Sequence, residues 1–353
     1  MSTSPPKGRG TTHAPDSRFL DWQRSPCDDG WPQDAPTPPF RTQLQIDTAR
    51  RVITTNQSPD VPFEQSINPY RGCEHGCVYC FARPSHAYLG LSPGLDFETR
   101  LAWKPDAATL LRAELSARRY RCSPIALGVN TDAYQPVERQ LGVTRDILKV
   151  LAECHHPVVI ITKSALIERD LDILGPMARD GLVQVMISVT TLVTELARTL
   201  EPRATAPRRR LRTIRTLAEA GVPVGVLFAP LIPALNDEEM EAVLAEASAH
   251  GACTAGYGLL RLPREVGPLF ERWLSEHAPG RAAHVMSLIR QLRGGRVNDA
   301  RFGERMRGTG LFADLYRQRF ALACKQRGLA PRHVALDTGR FTPPGADRQG
   351  QLF

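Results

Sequence analysis

Residues 68–84 read Asn68-Pro69-Tyr70-Arg71-Gly72-Cys73-Glu74-His75-Gly76-Cys77-Val78-Tyr79-Cys80-Phe81-Ala82-Arg83-Pro84, and three of the chain's eight cysteines, Cys73, Cys77 and Cys80, fall inside this stretch as C-x3-C-x2-C. Crowded thiolates repel one another unless a metal neutralises them, and short cysteine spacings are the usual cradle of an iron–sulfur cluster. Gly72 and Gly76 allow the tight backbone path that wrapping a bulky inorganic group demands. A structural zinc ion is the competing reading; it needs a fourth ligand from His75, His86 or a distant residue.

Three ligands on a 4Fe–4S cluster leave one iron open. The amino and carboxylate groups of S-adenosylmethionine (SAM) can chelate such an iron, and one-electron transfer to the sulfonium then cleaves a carbon–sulfur bond to release a 5′-deoxyadenosyl radical.

Outward from the loop, short apolar runs alternate with amphipathic stretches. The runs are Ser123–Val129, Pro157–Thr162, Leu182–Val189, Val222–Ala229 and Thr254–Leu260, with Phe63–Tyr70 as a weaker first strand before the cysteines. They have the length and the Val, Ile and Leu content of buried parallel strands. Helical patterns lie between them at Asp106–Tyr120, Gln140–His155, Ile167–Asp180, Ala206–Ala220 and Asp237–His250; Gly221 closes one, and Asn236 or Asp237 opens the next. About six β/α units predict an α/β fold: a partial (β/α)6 TIM-like barrel whose functional residues gather at the C-terminal ends of its strands.

Composition sets the frame for this barrel. With 42% hydrophobic and 23% charged residues the chain is globular, and the lack of any long apolar stretch or signal-like start predicts a cytoplasmic protein without a membrane segment. The remaining cysteines, Cys27, Cys122, Cys154, Cys253 and Cys324, are too scattered for a disulfide framework. The expected organisation is a largely disordered or extended arm over 1–60, a barrel domain over 61–262, a helical C-terminal extension over 263–330 and a weakly structured tail over 331–353. The net charge of +8 is compatible with anionic partners without showing any.

The strand ends carry polar residues: Asn130, Thr131 and Asp132 after one, Lys163 and Ser164 after the next, then Ser188, then Ala229-Pro230. Each has a plain alternative, such as Asp132 capping a turn, Lys163 being solvated, or Ser188 bonding its own backbone. Taken in order with Glu201-Pro202 and the run Ala229-Pro230-Leu231-Ile232-Pro233, they resemble the radical SAM superfamily, in the branch of spore photoproduct lyase and its bacterial lyase-like relatives. The likeness runs from about Ile67 to Pro233. It implies Cys73, Cys77 and Cys80 as cluster ligands, Lys163 and Ser188 on the SAM carboxylate, and Thr131 or Asp132 near its amino group. By the same resemblance Tyr79 flanks the cluster and Ala229 offers backbone to the adenosine, while Glu201 gains no role.

Two departures stand out. Spore photoproduct lyase carries a hydrogen-donor cysteine where this chain has Asn130, and a tyrosine where it has Phe81, which argues against thymine-dimer reversal by the same route. Cys122 opens its strand, at the wrong barrel end to substitute. Arg208, Arg209, Arg210, Arg212 and Arg215, which open one helix, and Arg261 with Arg264 just past the last strand could meet phosphates, although a solvated face accounts for them as well. The sequence thus predicts a radical SAM enzyme that abstracts a hydrogen from an unidentified substrate, nucleic acid included, with an electron donor such as flavodoxin or ferredoxin. Photoproduct repair and a non-catalytic nucleic-acid-binding protein with a structural metal site are the alternatives.

Overall fold

The computed structural model describes residues 8–11, 13–20, 41–330 and 334–345. Its main sheet has seven strands in the order β10-β9-β8-β7-β6-β3-β2. These are β2 (Ile53–Thr55), β3 (Gln65–Ile67), β6 (Ile125–Leu127), β7 (Val158–Thr162), β8 (Val183–Ser188), β9 (Val224–Leu231) and β10 (Thr254–Leu259). From β3 to β10 all pairings are parallel, and β2 is added antiparallel at the edge. A smaller sheet joins β1 (Gln43–Ile46), β5 (Arg100–Trp103) and β4 (Tyr70–Arg71).

The parallel strands follow one another in chain order, with no point at which the order reverses. Crossovers of one hand then put every helix on the same face, and the sheet can bury its other face only by curling. The result is the expected partial barrel.

Burial explains the strand assignments. Every residue of β8 is buried, and so are all three of β6. The helix Val143–Glu153 places Val143, Ile147, Leu148, Val150 and Leu151 inward. Pro207 starts the helix that ends at Glu219, where its missing N–H costs nothing, and Gly221 at φ 76° turns the chain into β9.

Several boundaries differ from the sequence reading. The barrel sheet begins at Ile53 rather than near Val61: β2 pairs with β3 although only Ile53 of it is buried, so the apolar signal that marks a strand is missing. Asn236 stands at the start of a 3-10 turn, Asp237–Glu239, that runs into the α-helix from Met240, but its side chain makes no cap bond; its amide is buried and ties the carbonyls of Thr190 and Pro230 to the N–H of Ile232. Within the expected tail, residues 334–345 have no regular structure yet bond the barrel floor, through Asp337 N–H to Gly181 O and Thr342 N–H to Cys154 O. Residues 1–7, 12, 21–40 (with Cys27), 331–333 and 346–353 of the expected arm and tail lie outside the described residues.

The helical extension comprises Val266–His277, Pro279–Leu292 and Leu311–Arg327. The first two pack Val266, Phe270, Trp273 and Val285 in one apolar cluster with Cys77, Val78 and Tyr79, so they buttress the cysteine loop from behind. No helix among the described residues is long and apolar enough to cross a membrane.

Candidate active site

A cavity of about 550 Å³ opens at the C-terminal ends of the parallel strands, and Cys73, Cys77 and Cys80 all line it. The loop's path matches its glycines: Gly72 has φ +80°, and a Cβ there would sit 2.6 Å from Leu101 and 2.9 Å from the Phe97 carbonyl. Arg83, fully buried, organises the loop from inside. Its guanidinium donates to the carbonyls of Cys77 (2.9 Å), Gly76 (3.1 Å) and Gly94 (2.8 Å) and pairs with Glu98 at 2.5 Å.

Burial pushes all three thiols up, Cys73 further through Asp132 and the other two cysteines, and Cys77 to about 12 with Glu201 adding to the effect. Thiols that resist ionisation alone become strong ligands once a cationic metal supplies the compensating charge. Three such donors around one cavity fit an iron–sulfur cluster. His75 and His86 do not complete a zinc set: His75 Nδ1 faces Asp132 at 3.4 Å, and His86 Nε2 meets the Arg100 carbonyl at 2.9 Å outside the cavity lining.

The strand-end residues divide into two groups. Tyr79, Asn130, Asp132, Lys163, Ser188 and Ala229 line the cavity together with the cysteines; Thr131 does not, because its hydroxyl turns away to the Tyr70 carbonyl at 2.8 Å. Asp132 lines it with a carboxylate already engaged, accepting from Thr162 Oγ1 and Lys163 N–H at 2.7 Å each and from Tyr134 N–H at 2.9 Å. Its bond from Tyr134 N–H caps the turn, the plain alternative for it, and the other two join the ends of β6 and β7. Ser188 Oγ donates to the Ala229 carbonyl at 3.1 Å. The Lys163 ammonium stands 6.0 Å from the centre of the Tyr79 ring, and among the described residues it forms no ion pair.

Glu201 gains a place. It is buried and accepts from the Tyr79 hydroxyl, from Thr190 Oγ1 at 2.6 Å and from Arg210, itself 1% exposed. Burial alone would raise its carboxyl, but Arg210 and then Lys163 outweigh that and hold it down to about 2. Arg210 also donates to the carbonyls of Ser188 (3.0 Å) and Thr205 (2.6 Å). The pair thus locks the end of β8 to the cysteine loop. Of the arginine run, only Arg208, Arg212 and Arg215 are exposed; Arg209 forks onto Glu168 at 2.6 and 2.7 Å.

Sequence reasoning missed the cavity's outer wall. Arg305 and Met306, from the segment after the helix Pro279–Leu292, line it, as do Thr54, Asn56 and Phe63 from the β2 turn. Nothing local in their sequence announces this, since the contacts span more than two hundred positions. Cys122 lies outside the lining.

A family model described as the radical SAM superfamily matches residues 67–247. An uncharacterised protein of Mycobacterium tuberculosis is 36% identical over 233 residues, which cover 65% of this chain and 68% of that protein. One of Methanocaldococcus jannaschii is 26% identical over 191 residues, or 54% and 68% of the two chains. Among solved structures, a mutant of spore photoproduct lyase with bound AdoMet and dinucleoside spore photoproduct superposes with a TM-score of 0.59 at 13% identity, covering 83% of this chain and 82% of that one. The shared fold, over 83% of the chain, extends beyond residues 67–247 that the family model matches.

Proposed function

This chain belongs to the radical SAM superfamily, and from that premise we propose that its cavity holds a 4Fe–4S cluster on Cys73, Cys77 and Cys80, with SAM beside it. The observation that carries the assignment is the lining of one strand-end cavity by three buried thiols together with Lys163 and Ser188. Bound together, an open cluster iron and SAM supply reductive cleavage of the sulfonium and a 5′-deoxyadenosyl radical that takes a hydrogen from the substrate.

The chain's residues bind and orient. Lys163 offers an ammonium to the SAM carboxylate as a compact point charge, and the Ser188 hydroxyl stands on the same wall. Ala229 and Pro230 present backbone and apolar surface suited to adenosine. Tyr79, its hydroxyl tied to Glu201, is fixed as a packing surface and kept protonated, since burial and then the Cys77 and Glu201 charges push its pKa well above the ordinary value. Asp132 serves by holding two strand ends in register rather than by touching the amino group.

Reductive cleavage of SAM would require one electron from a donor such as flavodoxin or ferredoxin. Asn130 and Phe81 line the cavity, so neither a thiol nor a phenol stands at these two places to relay a radical, which argues against thymine-dimer reversal by the route that uses them. Anaerobic reconstitution tests the cofactor assignment. About four irons and four sulfides per chain are expected, with a reduced-state paramagnetic resonance spectrum that changes on adding SAM. Stoichiometric zinc, or a spectrum indifferent to SAM, would overturn it.

A further inference from the structure

The arginines in and around this cavity differ in how they are satisfied. Arg83 and Arg210 each meet a carboxylate and several carbonyls, and Arg293 donates to the carbonyls of Leu260, Glu304 and Arg305 at 2.8 to 3.0 Å. Arg261, two residues past β10, is the exception. It lines the cavity, its Nε is buried with no hydrogen-bond partner, and among the described residues its other polar contact is Nη1 to the Met306 sulfur at 3.7 Å, a weak acceptor. No carboxylate pairs with it among the described residues. Arg261 as a whole is half-buried, but buried donors are normally hydrogen-bonded, so a buried, unmet Nε on a guanidinium that lines a cavity marks a place for a ligand.

Its surroundings are built for an anion. Arg305, a second cavity residue, is anchored by Asp60 and Ser58, and Gly303 N–H donates to the other Asp60 oxygen at 2.6 Å. The Leu259 N–H donates to the Met306 carbonyl at 3.1 Å, which ties the same segment to the end of β10. Arg261 and Arg305 therefore stand together on a fixed wall against the single acid Asp60, leaving an excess of one positive charge. The Arg261 guanidinium lies 5.0 Å from the centre of the Phe81 ring, immediately after the third cluster cysteine, so this charge is presented next to the reacting centre.

We propose that Arg261, backed by Arg305, holds the substrate of this enzyme through an anionic oxygen group, a carboxylate or a phosphate, while the Phe81 ring fixes the guanidinium plane. The proposal rests on the reading that SAM and substrate meet in this cavity. It sets Lys163 and Arg261 apart in role, with Lys163 on the SAM carboxylate and Arg261 on the substrate. An arginine suits the second role because its planar fork recognises carboxylate and phosphate in two-point contact.

The test uses reconstituted holoenzyme without reductant, so that SAM is bound and not cleaved. SAM is titrated first, then pyrophosphate and succinate separately, by calorimetry on wild type, R261Q and R261K. We expect one probe to bind wild type at a single site, R261Q to weaken it by roughly 10- to 100-fold, R261K to weaken it by less, and SAM affinity to stay within about twofold throughout. Binding of pyrophosphate alone identifies a phosphoryl group on the substrate, and binding of succinate alone a carboxylate. If neither probe binds wild type below roughly 1 mM, or if R261Q binds as well as wild type, the proposal fails. It fails too if R261Q loses SAM, because Arg261 then serves the SAM carboxylate. Should R261Q not fold, wild-type probe affinity in R261K is the contradicting result. Absence of SAM binding to wild type would instead refute the function proposed above.

Discussion

Replacing Glu201 by glutamine keeps the shape of the side chain and removes its charge. Arg210, 1% exposed, then stays in place with no carboxylate, and the Tyr79 and Thr190 hydroxyls lose a charged acceptor. Breaking a buried ion pair from one side costs about 3–5 kcal/mol, which is a large share of a total stability of roughly 5–15 kcal/mol. At about 2–4 °C per kcal/mol for a domain of this size class, E201Q should melt roughly 6–20 °C below wild type. Circular dichroism melts of the cluster-free protein read this directly. The double variant E201Q/R210M removes both charges and fills part of the same volume, so it should recover much of the loss. A fall of less than about 2 °C in E201Q, or a double variant no better than the single one, would refute the view that the pair locks β8 to the cysteine loop.

Two further outcomes follow from other parts of the molecule. Lys163→Met should weaken SAM binding roughly tenfold while leaving the melting temperature within a few degrees, since Lys163 forms no ion pair among the described residues; equilibrium dialysis with labelled SAM checks it. His156 is buried at the barrel floor, bonded to Tyr120 and Pro157, and burial lowers its pKa to about 4. The folded state therefore binds fewer protons than the unfolded one between about 6.5 and 4, so this contribution is intact above pH 6.5 and drains away as pH falls through that window. Urea titrations of the cluster-free protein at pH 7, 5 and 4 should show the decline, worth up to roughly 3 kcal/mol from this group, and His156→Gln should flatten it.

The barrel was legible because its strands are buried on both faces and read as apolar runs: β7, β8, β9 and β10 lie within one or two residues of the sequence-derived spans. The cysteine loop was legible because its spacing is local. What escaped was nonlocal. The β2 edge strand exposes two of its three residues and so lacks an apolar pattern. The pairings Arg83–Glu98 and Glu201–Arg210 bring unremarkable charged residues together in the interior. Thr131 and Asp132 sit side by side in sequence, yet the turn after β6 aims one at the Tyr70 carbonyl and spends the other on β7. The wall formed by Arg261, Arg305 and Asp60 unites three distant segments, and only the folded chain shows that the Arg261 Nε is left unmet.

The central claim is that Cys73, Cys77 and Cys80 support reductive cleavage of SAM. Its most direct measurement is chromatography of 5′-deoxyadenosine after anaerobic incubation of the reconstituted protein with SAM and dithionite. The account predicts 5′-deoxyadenosine from wild type and none from the variant with all three cysteines changed to alanine. A wild-type protein carrying its full iron and sulfide that releases no 5′-deoxyadenosine would contradict it.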